Sequence, residues 1–383
     1  MRVSPILSGL DAYPFVRLEE AKRRAEAEGL TLIDFGKGDP REATDPIIRR
    51  ALVESLEEVS SYPLAAGLPE LREAVAGWVG RRFGVELDPA SELIPTHGSK
   101  EAIFSFAQVV VDPASEKNLV VTTEPGYPVA ERGALFAHAG HRALPLLEEN
   151  GFLPDLAAFA DWDRVAVFWV NYPNNPTGAT APLEFFEELA GLARRHDFYL
   201  ASDEAYSELW FDEPPVSALQ VADRRNVVVF NTLSKRSSMT GYRSGFVAAE
   251  PGLIDALRAY RPTVGTAPQE FVQRASVVAW DDEEHVERTR EIYRRKRDVV
   301  EPALRESGLR IAASQATFYL WVEVEDSSEE FARRLLEHGI VVAPGSFFGA
   351  AGEGFVRFAL VPTQAECERA AEILREVLWT SKT

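Results

Sequence analysis

The sequence predicts an α/β protein in two parts: a three-layer α/β/α large domain built on a mainly parallel sheet, and a smaller α+β domain. From about residue 85 to residue 250, short apolar runs alternate with helical stretches, as in a parallel sheet covered by helices on both faces. Beyond Glu250 the order becomes a long charged helical region and then strand, strand, helix, strand, strand and helix. With 383 residues, 46% of them hydrophobic, the chain is long enough for about two domains.

The first elements follow an N-terminal arm. A helical pattern covers Phe15 to Glu28, and Gly29 stands in the position of a helix C-cap. Further along, the sequence predicts a strand at 31–35, a helix that starts at Asp45 and Pro46, a loop at 60–70 and an amphipathic helix at 71–84.

Strand and helix candidates then alternate up to residue 250. The strand candidates are ELIPT (92–96), NLVVTTE (118–124), HRALPL (141–146), VAVFWV (165–170), DFYLASD (197–203), NVVVF (226–230) and GFVAA (245–249). The helix candidates include 101–110, 129–138 and 183–196, and a single helical region is expected over 269–307, where YRRKRD (293–298) is interpreted as a solvated face. We place the large domain at 46–280, and the small domain at 1–45 plus 281–383, with the N-terminal arm.

Composition excludes several classes of function. The 41 basic and 60 acidic residues give a net charge of −19, which argues against binding to nucleic acid or to anionic membranes. No apolar run approaches the roughly 18 residues that a transmembrane helix needs. Cys367 is the only cysteine, so an internal disulfide is excluded. We expect a cytoplasmic protein without a metal site.

A loop with one lysine lies between two strand candidates, in NVVVFNTLSKRSSMTGYRSGF at 226–246. A lysine beside a buried strand can be desolvated, which lowers its pKa and makes Lys235 a nucleophile for aldehydes. The nearby hydroxyls and Arg243 would suit a phosphate group. The loop alone leaves the alternative of a solvated surface lysine open.

Four other loops follow strand candidates, where parallel sheets bind ligands. THGSKEAIF (96–104) opens a helix at a Gly-Ser turn, an arrangement that can bind an anion. EPGYP (124–128) carries an aromatic ring that could pack or stack, and NYPNNPTG (171–178) presents an amide between prolines. In SDEAYSE (202–208), Asp203 ends a buried strand, so either an arginine or the cation of a ligand should pair with it.

Together and in this order, these motifs closely resemble the class I and II aminotransferases of fold type I, which use pyridoxal 5′-phosphate. The resemblance extends from FVRL (15–18) to FVRFAL (355–360) and implies an aspartate-aminotransferase-like fold. It implies that Lys235 holds the cofactor as a Schiff base, that Asp203 pairs with the pyridinium nitrogen, and that Asn175 and Tyr206 bind the phenolic oxygen. Lys235, Asp203 and Tyr206 would be the catalytic residues.

The resemblance also assigns the remaining cofactor and substrate contacts. Tyr127 would stack on the cofactor ring, and Tyr62 would reach the phosphate in a neighbouring subunit, which implies a homodimer with shared active sites. The phosphate would be held by Gly98, Ser99, Lys100, Thr232, Ser234 and Arg243. The substrate would be bound by Arg357 through its α-carboxylate, with Gly38 and Asn175.

Two departures from the family pattern, Thr232 at the start of the lysine loop and Ser244 after Arg243, indicate a subgroup. RSGF (243–246) and ATFYLWVEV (316–324) look most like N-succinyl-LL-diaminopimelate aminotransferases of bacterial lysine biosynthesis, with 2-oxoglutarate and glutamate as the second pair. Aspartate and LL-diaminopimelate aminotransferases, a C–S lyase and a non-catalytic sensor are the alternatives. Candidates for the substrate's distal group are Lys37, Arg41 and Arg236.

Overall fold

The computed structural model describes residues 3–8, 14–59 and 61–380. Part of the predicted N-terminal arm therefore lies outside the described residues. The strands of the described chain are β1 (Ile33–Asp34), β2 (Leu93–Thr96), β3 (Leu119–Glu124), β4 (Gly140–Pro145), β5 (Val165–Asn171), β6 (Tyr199–Asp203), β7 (Val227–Thr232), β8 (Gly245–Ala248), β9 (Arg310–Ala313), β10 (Tyr319–Glu323), β11 (Ile340–Val341), β12 (Ala343–Pro344) and β13 (Phe355–Ala359).

The α-helices alternate with these strands in the first two thirds of the chain. They are α1 (Pro5–Ser8), α2 (Pro14–Ala27), α3 (Pro46–Glu54), α4 (Pro69–Phe83), α5 (Ser99–Val110), α6 (Val129–Phe136), α7 (Leu183–His196), α8 (Leu233–Arg236), α9 (Pro251–Val264), α10 (Glu270–Asp281), α11 (Glu284–Glu306), α12 (Ser328–Glu337) and α13 (Gln364–Thr380), in the described part of the chain. Each strand and helix candidate named above up to residue 250 overlaps one of these elements.

The large sheet has the order β2-β8-β7-β6-β5-β3-β4 among the described residues. All neighbouring strands run parallel except β8, which is antiparallel to both β2 and β7. The predicted mainly parallel sheet is thus confirmed. Such sheets need apolar side chains on both faces, which is why their strands are continuous apolar runs such as VVVF in β7.

Helices cover both faces of this sheet, and β7 shows how its sequence divides between them. Val227 and Val229 pack in one core with residues of α4, α7 and α10. Val228 and Phe230 pack in a second core with residues of α5, α6 and α9. Successive side chains of a strand point to opposite faces, so one short apolar run contributes to both layers. The three-layer α/β/α architecture follows from this alternation.

A second, antiparallel sheet of order β12-β13-β10-β9 is formed by the C-terminal third of the chain. The N-terminal segment joins this part of the molecule, because β1 pairs in parallel with β11, with Ile33 opposite Ile340. These strand pairings form the smaller α+β unit that the sequence predicts, with N-terminal residues completing it. The domain limits at residues 46 and 280 remain a prediction.

The helical region expected over 269–307 is not continuous. It breaks between α10 and α11, where Asp282 has extended backbone and its carboxylate accepts a hydrogen bond from the His285 N–H at 2.9 Å. An aspartate side chain that accepts hydrogen bonds from backbone N–H groups competes with the hydrogen bonds of a helix. One helix therefore ends at Asp282 and the next begins after it. The interpretation of 293–298 as a solvated face is also wrong in part, because Tyr293 and Lys296 are buried and Lys296 forms an ion pair with Glu42.

The carboxyl ends of three neighbouring strands meet at one edge of the large sheet. The strands β5, β6 and β7 end at Asn171, Asp203 and Thr232. Asn171 pairs in register with Asp203, so the two side chains start from adjacent positions. Within the described residues, no helix is long and apolar enough to span a membrane, and no cluster of metal-ligating side chains occurs.

Candidate active site

A cavity of about 480 Å³ opens where these strands end. It brings together most of the residues that the sequence singled out: Gly38, Ser99, Lys100, Tyr127, Asn175, Asp203, Tyr206, Thr232, Ser234, Lys235, Arg243 and Arg357. Gly98 adjoins the cavity as the N-cap of α5. The residues come from both sheets and from the segment after β1, so the cavity lies between the two parts of the molecule.

Lys235 lies in the single turn of α8, directly after β7. Thr232 caps this turn by accepting the Ser234 N–H, at 3.1 Å. The Lys235 Nζ donates to the Gly38 carbonyl at 2.6 Å. Burial lowers the pKa of Lys235 to about 8; Asp39 opposes this change, whereas Arg357 and Arg243 add to it. A lower pKa leaves more of the amine unprotonated near neutral pH, as a nucleophile or a base requires.

Asp203 lies at the floor of the cavity without a cationic partner. No lysine or arginine of the described residues forms an ion pair with it, which removes the alternative of a structural salt bridge. Burial raises the pKa of Asp203 to about 7, although the Ala205 N–H, at 3.2 Å, and the charge of Lys235 favour the carboxylate. A ligand that carries a cation would stabilise the ionised form.

The start of α5 and the Lys235 loop form a concave site suited to an anion. Gly98 has a φ of +70°, and a Cβ at this position would lie 2.6 Å from Arg243 Nη2. Arg243 is held by the carbonyls of Thr240, at 2.7 Å, and His97, at 3.2 Å. Backbone N–H groups at a helix N-terminus, an arginine and the hydroxyls of Ser99, Thr232 and Ser234 are the groups that bind phosphate.

Of the two departures from the family pattern, Thr232 lines this site and Ser244 lies outside the cavity, and both are buried. The hydroxyl of Thr232 donates to the Ser244 carbonyl at 2.9 Å. The Ser244 hydroxyl oxygen lies 2.7 Å from that of Ser276 in α10. Polar side chains are tolerated here because each finds a partner.

Arg357, in β13, faces Lys235 from the second sheet. Its Nη1 donates to the Asn175 side-chain oxygen at 2.8 Å, and its Nη2 donates to the Gly36 carbonyl at 2.7 Å. Its Nε is buried with no partner among the described residues. A guanidinium held in place this way, with donor capacity left, is suited to a carboxylate.

Sequence reasoning missed several residues that line the cavity, among them Asn171, Tyr319 and Asp39. Asn171 holds the site together: its Nδ2 donates to the Asp203 carbonyl at 2.8 Å, and its Oδ1 accepts the Asn175 N–H at 2.9 Å. The Tyr319 hydroxyl lies 2.7 Å from that of Tyr206. Asp39 also lines the cavity. Asn171 could have been found as the first residue after an apolar run. Tyr319 lies in the strand at 316–324 that the sequence analysis singled out, but nothing in the sequence placed its side chain in the cavity.

Other predicted residues lie elsewhere. Tyr62 is 99% exposed and does not line the cavity of its own chain. Of the three candidates for the distal group, only Lys37 lines the cavity. Arg41 is paired with Glu366 at 3.0 Å, outside it. Arg236 is buried and paired with Glu283 at 2.7 Å, so it is not accessible to a substrate.

The residues present fit pyridoxal 5′-phosphate. Lys235 supplies an amine for its aldehyde, Asp203 needs the cation that its ring nitrogen offers, and the turn at Gly98 forms a cradle for its phosphate. When bound, this cofactor supplies an electron sink for charge that develops at the Cα of an amino acid.

Comparison with known proteins agrees with this site. The family described as aminotransferase class I and II matches residues 31–374. An LL-diaminopimelate aminotransferase of Nitratidesulfovibrio vulgaris (strain DP4) is 40% identical over 375 residues, which cover 95% of this chain and 96% of the relative.

Solved structures show the same architecture. An aminotransferase from Neisseria meningitidis Z2491 superposes with a TM-score of 0.91 at 37% identity, covering 98% of this chain and 99% of the other. A probable N-succinyldiaminopimelate aminotransferase from Thermus thermophilus gives a TM-score of 0.88 at 33% identity, covering 95% of this chain and 99% of the other. The chain therefore belongs to the class I and II aminotransferases, enzymes of fold type I that use pyridoxal 5′-phosphate and act on amino acids and 2-oxo acids.

Proposed function

We propose that the amino acid substrate is LL-diaminopimelate, with 2-oxoglutarate as the acceptor. The observation that carries the proposal is a pair of opposite charges on the cavity lining, Lys37 and Asp39. Both side chains are exposed, and the Lys37 Nζ also forms an ion pair with Glu19 at 3.1 Å. The distal end of LL-diaminopimelate carries one ammonium and one carboxylate, which this pair complements. Several relatives about 40% identical to this chain are described by the same activity.

The proposed roles follow from the geometry. Arg357 binds the substrate α-carboxylate, while Asn175 and the Gly36 carbonyl hold the guanidinium in place. Lys235 would hold the cofactor through its amine, and the free Nζ would take the proton from the substrate Cα. A pKa of about 8 suits that amine to act as a base near neutral pH. Asp203 keeps a positive charge on the cofactor ring.

The substrate is tested by half-reactions of the cofactor-loaded enzyme. LL-diaminopimelate, its N-succinyl derivative, aspartate and glutamate are each mixed with the protein, and the loss of the cofactor's visible absorbance is followed. We expect the largest kcat/KM for LL-diaminopimelate, by about tenfold or more, a difference of about 1.4 kcal/mol. A larger value for aspartate or for the N-succinyl derivative would contradict the proposal.

Asp39→Asn provides the matched control within this experiment. The variant should lower kcat/KM for LL-diaminopimelate by about two- to fivefold, the effect of one exposed ion pair. The N-succinyl derivative has an amide in place of the distal ammonium, so its kcat/KM should stay the same or rise. An equal loss for both substrates would place Asp39 in a general rather than a selective role.

N-succinyl-LL-diaminopimelate is the second candidate. It is the substrate favoured by RSGF (243–246) and the strand at 316–324, and the Thermus thermophilus structure supports it. A C–S lyase would instead release pyruvate and ammonia from a cysteine conjugate without a 2-oxo acid. A non-catalytic sensor would show no half-reaction with any amine.

The proposal includes a homodimer with shared active sites. A run of large apolar side chains is exposed by 58–99%, more than a protein surface usually shows in one place: Val53, Leu56, Val59, Tyr62 and Leu64. A second copy would cover this surface and bring Tyr62 to the other subunit's phosphate site. Light scattering should give twice the mass of the 42.5-kDa chain. The mass of a single chain would contradict the dimer.

A further inference from the structure

Tyr319 contacts both sides of the cavity. Its hydroxyl oxygen lies 2.7 Å from the hydroxyl of Tyr206, and the two buried rings meet edge to face, with centroids 5.4 Å apart. On the other side, the Arg357 guanidinium carbon lies 4.3 Å from the centre of the Tyr319 ring. Tyr319 opens β10 and Arg357 lies in β13, the strand that pairs with β10. This strand pair places the Tyr319 ring beside Arg357, whereas Tyr206 comes from the segment that follows β6.

We propose that Tyr319 is a positioning residue for two groups of the cavity, Tyr206 on the cofactor side and Arg357 on the substrate side. Its hydroxyl orients Tyr206 towards the cofactor, and its ring orients Arg357 towards the substrate α-carboxylate. This inference rests on the roles given above to Tyr206 and Arg357. It does not depend on which amino acid is the substrate.

The hydrogen bond between the two hydroxyls could run either way, but only one direction is compatible with the role of Tyr206 at the cofactor. Each tyrosine hydroxyl carries one proton, so a Tyr206 that donates to the phenolic oxygen of the cofactor can only accept from Tyr319. Burial, with the neighbouring Tyr319 as a second cause, raises the pKa of Tyr206 well above its usual range, which keeps it a donor. A donor that itself accepts a hydrogen bond is strengthened.

The ring contact limits where the Arg357 guanidinium can lie. Two of its nitrogens are held in place by Asn175 and Gly36, and the Tyr319 ring covers one face of the group. The closeness of Tyr319 also explains why position 38 is a glycine, because a Cβ there would lie 2.1 Å from the Tyr319 hydroxyl oxygen. Any larger residue at position 38 would displace the hydroxyl from Tyr206.

Two substitutions of Tyr319 test the contribution of its hydroxyl and that of its ring separately. Tyr319→Phe removes only the hydroxyl, so kcat should fall about two- to tenfold while KM for the amino acid changes less than about twofold. The pH midpoint of the bound cofactor's visible absorbance should rise by about half a unit to one unit, because a weaker donor leaves the phenolic oxygen more basic. Tyr319→Leu also removes the ring, and its KM should exceed that of the phenylalanine variant about 3- to 30-fold.

Tyr293→Phe is the matched control, and Tyr206→Phe is the reference. Tyr293 belongs to the same core, and its buried hydroxyl has no partner among the described residues, so the midpoint should not move. The inference is overturned if Tyr206→Phe moves the midpoint and Tyr319→Phe does not, or if the two Tyr319 variants share one KM. An unmoved midpoint in both phenylalanine variants overturns it together with the role of Tyr206.

Discussion

Lys235→Ala is expected to lower the rate of amino transfer by about 10³-fold or more, because the variant loses both the amine that holds the cofactor and the base that moves the Cα proton. The protein should still bind pyridoxal 5′-phosphate, since the phosphate cradle at Gly98 and Arg243 and the carboxylate of Asp203 remain. Single-turnover measurements with glutamate, followed by visible absorbance, give the rate. Equilibrium dialysis gives the amount of cofactor bound.

Lys117→Ala is the control for this variant. Lys117 precedes β3, at the end of the sheet opposite the cavity, and its Nζ donates to the carbonyls of His196 and Asp197. Its replacement should leave the rate unchanged. Added methylamine should restore part of the activity of Lys235→Ala, because it supplies a free amine to the cavity. A Lys235→Ala protein with the parent's rate would exclude Lys235 from the chemistry.

Asp203→Asn has the second largest expected effect. The substitution keeps the size of the side chain but removes the negative charge that would pair with the cofactor ring. We expect kcat to fall by about 10²- to 10³-fold, as when one preorganised electrostatic contact is lost. The cofactor's dissociation constant should rise about ten- to hundredfold, the effect of losing a charged hydrogen bond. Absorbance titration measures the second quantity.

The raised pKa of Asp203 also predicts how stability depends on pH without the cofactor. Asp203 has a pKa of about 7 in the folded chain, against an ordinary value of 3.8. Between these values the folded state binds more protons than the unfolded state, so the free energy of unfolding should fall as pH rises from about 4 to about 7. Urea unfolding at several pH values should show a smaller fall in Asp203→Asn.

Glu204→Gln is the matched control for both measurements. Burial raises the pKa of Glu204 to about 7 as well, but its carboxylate accepts from the Ser202 hydroxyl and the Ala218 N–H and does not line the cavity. This variant should change the unfolding curve and leave cofactor affinity unchanged. Equal loss of cofactor affinity in the Asp203 and Glu204 variants would mean that general destabilisation, not a specific pair, explains the result.

Much of the fold could be predicted because local patterns match the environment of each element. The apolar run that forms β7 is buried on both faces, and the chain leaves the sheet at the ligand edge after each of β5, β6 and β7. Lys235 and Asp203 were found because each lies within a few residues of the end of such a run. For such residues, a position at the end of a strand in the sequence is enough to predict a position at the ligand edge of the sheet.

The remaining features depend on contacts between distant segments. Tyr319 and Tyr206 are 113 residues apart, and their hydroxyls meet only because the segment after β6 packs in one core with β10 of the second sheet. Arg236 follows Lys235, yet its side chain turns away and lies against the rings of Trp78 and Trp280. Its charge and its position next to Lys235 in the sequence made Arg236 a candidate for binding the substrate. No local sequence pattern indicates that an arginine will be buried and paired with a carboxylate from a distant segment.

The claim that Lys235 is the amine that holds the cofactor has a direct measurement. Borohydride reduction of the loaded protein makes the bond between cofactor and lysine permanent, and mass spectrometry of the digested chain then locates the modified residue. The cavity is lined by three lysines, Lys37, Lys100 and Lys235. The structure predicts the modification on Lys235. A modification on Lys37 or Lys100 instead would contradict the assignment on which the proposed function rests.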